Sequence, residues 1–149
     1  MPRGFNFRFQ QLLDIASFEE DGIKNRLTAK NLEIAELENK IQKYIDDHDN
    51  ALKEQEHDLM NGNFEKVQLY PAYLAVLKKS QVFYEKERDR QIKQREKIME
   101  ELLEKQRQRK TYEVLKEKDL NAFKKEQLKK EQKILDEFGK KSVLTLDEE

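Results

Sequence analysis

Residues 9–55 read FQQLLDIASFEEDGIKNRLTAKNLEIAELENKIQKYIDDHDNALKEQ. Taken from Phe9 in alternating steps of four and three, the positions are Phe9, Leu13, Ala16, Glu20, Ile23, Leu27, Lys30, Ile34, Leu37, Ile41, Tyr44, His48, Ala51 and Gln55. Ten of these fourteen are apolar, in one unbroken heptad frame. An apolar repeat of that period predicts a helix whose seam lies against a second helix. Leu12, Ile15, Phe18, Ile45 and Leu52 are expected to widen the stripe. Gly22 interrupts it at a cost of about 1 kcal/mol relative to Ala, which a helix this long absorbs.

The pattern stops at Asn61-Gly62-Asn63, and Pro71 follows. Gly62 can adopt the left-handed conformation that ends a helix, and Pro71 suits the first turn of the next one. Phe64–Tyr70 is read as a short helical turn with Asn63 as its cap. The second half, from about Ala72 to Phe138, has a weaker seam. Leu74, Leu77 and Tyr84 start it, Ile98 and Leu102 continue it, and Phe123, Ile134 and Phe138 resume it after a slip of frame. Arg88, Gln91 and Arg95 occupy seam positions between, where polar residues fix register or leave a face for a partner.

The expected fold is all-α, a long two-helix antiparallel coiled-coil hairpin forming one domain over residues 1–149. Helix 1 spans about 6–60, the turn 61–71 and helix 2 about 72–138, and a flexible tail fills 139–149 with Gly139 as the stop signal. A tight reversal sets His48 opposite Tyr84, Ile34 opposite Ile98 and Phe9 opposite Phe123. Residues 1–60 hold 8 Lys and Arg against 13 Asp and Glu, whereas residues 72–138 hold 19 against 14. Halves of opposite sign are expected to lie side by side, a source of specificity more than of stability.

Composition excludes most alternatives. Charged residues make up 41% and mean hydropathy is -1.05, too polar for a compact globule. Disorder predicts no apolar periodicity, and the periodicity is strong. Four glycines and two prolines are too few turns for an all-β or α/β domain. The absence of cysteine removes disulfides and thiolate metal sites. With no apolar run of about 20 residues and no secretory signal at the N-terminus, a cytoplasmic location without membrane insertion is expected.

Chemistry is hard to assemble from this inventory. Gly62 alone makes no phosphate loop. Ser17, Ser80 and Ser142 are far in sequence from His48 and His57, so no nucleophile and base pair up. His48 lies among Asp46, Asp47 and Asp49, but neighbours in sequence point apart on a helix, so no metal or cofactor is expected. The basic run Lys86–Lys97 is interrupted by Glu87, Asp89 and Glu96 and lacks interleaved aromatics, so it reads as a solvated helix face and not a nucleic-acid site. No enzyme is expected. The aromatic cluster Tyr70, Tyr73, Phe83 and Tyr84 just after the turn exceeds what a two-helix seam needs, and reads in part as a docking surface.

Three segments resemble the FliJ family of the bacterial flagellar type III export apparatus. They are Phe5-Asn-Phe-Arg-Phe-Gln-Gln-Leu-Leu-Asp14, Tyr73-Leu-Ala-Val-Leu77 and Glu131-Gln-Lys-Ile-Leu-Asp-Glu137. Length and two-helix layout agree over nearly the whole chain. The resemblance implies a coiled-coil stalk that docks in the hexameric export ATPase and promotes its assembly. It also implies binding to the cytoplasmic domain of the export-gate membrane protein and to export chaperones, with peripheral association at the inner membrane. The family's gate-docking face falls on Ile41, Ile45, His48 and Leu52, with Tyr44 as the alternative to Ile45, and on Tyr73, Leu77, Ser80 and Tyr84. Its stalk role falls on Phe5, Phe9, Leu128, Ile134 and Phe138 at the free end. Two rivals remain at this stage: the related stalk of a virulence-type secretion system, and a general coiled-coil dimer scaffold with no hairpin.

Overall fold

A computed structural model describes residues 3–147, with side chains to residue 143. Three helices follow in order: α1 (Gln10–Met60), α2 (Phe64–Val67) and α3 (Tyr70–Asp147). α1 and α3 pack against each other, and no strand occurs among the described residues. The fold is an all-α helical hairpin. A continuous rod without a reversal, which the dimer-scaffold alternative requires, is not what the chain forms.

The reversal follows from the residues at 58–63. Gly62 has φ +74°, the left-handed geometry that glycine alone adopts without steric cost. That conformation aims the Asn63 N–H at the Asp58 carbonyl (2.9 Å) and the Gly62 N–H at the Leu59 carbonyl (3.3 Å). Together they form the paired six-to-one and five-to-two bonds that satisfy the last carbonyls of a helix. Asn63 also precedes α2, but its side chain makes no capping bond there and reaches Asp58 instead. α3 begins at Tyr70, inside the span expected to be turn, with Pro71 in its first turn where no N–H is missed.

The fourteen heptad positions, Phe9 and the thirteen in α1, are all buried or half-buried. Leu12, Ile15, Phe18 and Leu52, expected to widen the stripe, are exposed instead, and only Ile45 is half-buried. One facing helix covers a single narrow seam, so residues flanking it stay in water. α1 supplies six buried apolar residues (Leu13, Ala16, Ile23, Ile34, Ile41 and Ala51), and α3 only Leu77 and Ile98. Much of the remaining α3 face consists of half-buried Arg88, Gln91, Arg95, Lys105 and Arg109. Their aliphatic stems cover the apolar residues of α1 while their heads stay near solvent.

The chain divides into two compact units. One comprises residues 1–20 and 104–149, here the terminal unit, and the other residues 21–103, the turn unit. In the terminal unit helix α1 starts at Gln10, not near residue 6, because the preceding aromatics pack elsewhere. Gly4, at φ +83°, turns the chain, and the Phe5 ring lies 5.5 Å from that of Phe123. Phe7 is buried against the edge of Phe9, and Phe9 reaches Tyr112. Phe9 does not reach Phe123. In the turn unit Tyr44, not His48, stacks on Tyr84, with centroids 5.6 Å apart and planes 14° apart. Tyr44 in place of His48 moves the pairing by about one turn of helix, and Tyr112 in place of Phe123 opposite Phe9 by about three, both toward a reversal nearer Gly62 than the middle of 61–71.

α3 does not stop at Gly139 but runs to Asp147, and residues 148 and 149 of the expected tail lie outside the described residues. One glycine costs a helix about 1 kcal/mol and does not by itself end it. From Lys124 to Val143 every side chain is exposed, so Ile134 and Phe138 do not resume the seam. The last described seam contact of α3 is Phe123.

Candidate docking surfaces

Polar links fasten α1 to α3 in the turn unit. At the reversal, Tyr70 donates its hydroxyl to Asp58 Oδ2 at 2.7 Å, joining the last turn of α1 to the first of α3. That hydrogen bond, helped by Asn63, holds the Asp58 carboxyl below its ordinary range. Donation to the same carboxylate pushes the Tyr70 phenol up to about 12. Further along, Lys30 in the seam donates to Gln91 (2.6 Å), Gln94 (2.8 Å) and Glu33 (3.2 Å). Arg95 donates to Asn31 at 3.4 Å, and Arg26 pairs with Glu101 at 2.9 Å. The polar seam of α3 therefore meets polar partners on α1, which fixes register. Glu87 accepts from Arg90 and Gln91, and both bonds hold its carboxyl below the usual range.

The eight turn-side residues expected to dock a partner do not share one surface. Ile41 and Leu77 are buried between the helices, each about 5% exposed. Ile45, His48, Ser80 and Tyr84 are half-buried, and Tyr84 is held between Tyr44, Phe83 and the Lys40 ammonium. Only Leu52 and Tyr73 are exposed. The surface presented at the start of α3 is a second stripe: Leu69, just before the helix, then Tyr73, Val76, Ser80 and Phe83. Its members are exposed except for half-buried Ser80. The spacing is again four and three, one residue ahead of the seam positions Tyr70, Leu74, Leu77, Gln81 and Tyr84. Phe83 and Tyr73 belong to the aromatic cluster read as a docking surface and are exposed as expected. Leu69 and Val76 were missed by sequence reasoning, although two adjacent apolar frames were the signal. Leu59, Met60 and Phe64 add exposed apolar surface around the turn.

In the terminal unit Phe5 and Phe9 are half-buried and engaged with Phe123 and Tyr112. Leu128, Ile134 and Phe138 are exposed on the part of α3 beyond those contacts. The five residues expected to act together thus split into an aromatic clasp and a free helical segment. Leu135, exposed between Ile134 and Phe138, belongs with the latter.

Among the described residues no group of three His, Asp or Glu is placed to hold a metal ion. None of their helices is long and apolar enough to cross a membrane. The hairpin presents apolar stripes and charged ridges on its helix surfaces. A family model described as flagellar FliJ protein matches residues 5–144, nearly the whole chain, and the protein belongs to that family. Membership makes it a flagellar export-related protein, in a family of non-catalytic export components. No curated protein and no solved structure matches the chain.

Proposed function

We propose that this protein is the stalk component of the flagellar export apparatus, docking in the export ATPase ring and promoting its assembly. It also binds the cytoplasmic domain of the export-gate protein and export chaperones, and works in the cytoplasm, peripherally associated with the membrane apparatus. No chemistry is assigned to it. The observation that carries the reading is the pairing of family membership with two separate sets of exposed apolar residues. One set is the stripe Leu69, Tyr73, Val76 and Phe83 in the turn unit, the other Leu128, Ile134, Leu135 and Phe138 in the terminal unit. Exposed apolar groups on a chain this polar mark contact surfaces.

The gate-docking role is assigned to the stripe, with Leu52 and the half-buried Ile45, His48, Ser80 and Tyr84 at its margins, and with Ile41 and Leu77 supporting it from beneath. The ring-docking role is assigned to the α3 segment, positioned by the clasp of Phe5 and Phe9. The test is a titration of this protein into the flagellar export ATPase of the same organism, following ATP hydrolysis and ring formation. A saturable rise in both is the expected result. Absence of both, with each component folded, overturns the stalk reading.

A further inference from the structure

The outer face of α3 in the turn unit carries a charge pattern that the fold does not use. At about 100° per residue, Lys79, Lys86, Arg90, Lys93 and Lys97 fall within an arc of roughly 60°. All five are exposed, on the side turned away from buried Leu77 and Ile98. The acidic residues of the same stretch, Glu85, Glu87, Asp89 and Glu96, all fall outside that arc. Arg90 reaches back to Glu87 at 2.6 Å, while among the described residues the four lysines have no ion-pair partner. At 1.5 Å per residue the ridge is about 27 Å long. Its turn-side end merges with Val76 and Phe83, which lie beside it on the same face and are both exposed.

We propose that the ridge and the adjoining apolar stripe form one docking surface for an acidic segment of a partner protein. That segment places an apolar pocket over Phe83 and Val76 and carboxylates along the five bases. The inference rests on the gate-docking reading and adds to it the chemistry of the partner. Like charges held this close repel one another, and an anionic partner relieves that repulsion. Phe83 is the one aromatic residue on the ridge, too few for the stacking platform that a nucleic acid needs. Charges at the rim of an apolar contact act mainly on encounter rate and salt dependence. Those two quantities are therefore the signature.

The experiment measures binding of the full chain to the cytoplasmic domain of the flagellar export-gate protein, at low and high salt, with association and dissociation resolved. The ridge variant is Lys86→Glu with Lys93→Glu and Lys97→Glu, and the stripe variant is Tyr73→Ala with Phe83→Ala. A control, Lys110→Glu with Lys118→Glu and Lys125→Glu, makes the same change in net charge at exposed lysines of the terminal unit. The ridge variant is expected to lose about tenfold or more in association rate, with a flatter salt dependence, while the control stays near the parent protein. A ridge variant that binds normally while the stripe variant fails overturns the ridge and leaves the docking reading standing. Equal losses in ridge and control variants overturn it too, since net charge alone then explains them. No binding by the parent protein overturns both readings. Preference of the ridge for a single-stranded RNA oligonucleotide over the gate domain overturns the acidic-protein assignment.

Discussion

Glu20 on α1 and Arg109 on α3 form an ion pair inside the seam of the terminal unit. The Glu20 side chain is 2% exposed, and Arg109 Nε donates to its Oε2. Arg109 Nη1 donates at 2.7 Å to Glu113 one turn on, and Lys105 pairs with the neighbouring Glu19. Glu20 breaks an otherwise apolar run between Ala16 and Ile23, and the guanidinium opposite helps make a carboxylate tolerable there. Removing one partner of such a pair takes away charge compensation in a buried site, whereas replacing both by apolar side chains is often neutral or stabilising. Arg109→Met is therefore expected to lower the thermal midpoint more than Glu20→Leu with Arg109→Met together. Midpoints from circular dichroism give the order directly. A single variant as stable as the double would mean that the pair does not hold the seam.

The hydrogen bond from Tyr70 to Asp58 makes the reversal sensitive to pH at both extremes. Asp58 is shifted below its ordinary 3.8, so its contribution is complete above that value and is lost as pH falls through the folded-state value. Tyr70 is raised from 10.0 to about 12, so its contribution is complete below pH 10 and is lost as pH rises toward 12. The stability difference between the parent protein and Tyr70→Phe should hold a plateau from about pH 5 to pH 9 and shrink on either side. Urea unfolding across that range measures it. A difference that stays flat from acid to alkali would leave the hydrogen bond with no part in stability.

Sequence reasoning reached the seam of α1 because one heptad frame runs without a break from Phe9 to Gln55, and a single helical period predicts a single buried face. It reached the reversal because glycine and proline act locally. What it missed depends on partners distant in sequence. Nothing near Leu12, Ile15 or Phe18 says that only one helix lies opposite and leaves all three in water. Likewise Lys30 and Gln91 look like defects of the seam until they meet across the hairpin. The exposed apolar stripe of the turn unit lies one position ahead of the seam residues Leu77 and Tyr84 that were expected to dock a partner. Two apolar frames run in parallel through Leu69–Tyr84, and only the position of α1 decides which of them is covered.

Gly62 and Gly22 should respond in opposite directions to alanine. Gly62 sits at φ +74°, where any L side chain is strained although nothing obstructs the space around it. Gly62→Ala is expected to cost about 1–2 kcal/mol. Gly22 lies inside α1 with open space where a Cβ would stand. Gly22→Ala is therefore expected to stabilise by roughly 0.5–1 kcal/mol. Chemical denaturation of the two variants side by side is the measurement. Stabilisation by both would remove Gly62 from its place as the pivot.

Leu77 and Phe83 stand six residues apart on α3 and should separate folding from docking. Leu77 is 5% exposed and Phe83 is 64% exposed. Truncating a buried leucine costs about 2–5 kcal/mol, and the thin seam, which can collapse around the gap, places this site toward the lower end. Leu77→Ala is thus expected to reduce partner binding only as far as it unfolds the hairpin. Phe83→Ala should leave stability within about 0.5 kcal/mol of the parent, since the ring is largely exposed and packs at a near right angle to Tyr84. Its expected effect is on affinity for the export-gate domain, compounded by Tyr73→Ala on the same stripe. Denaturation and binding measured on the same preparations resolve the two. Loss of binding by Leu77→Ala at temperatures where it remains folded, with Phe83→Ala binding normally, would return the docking face to the seam.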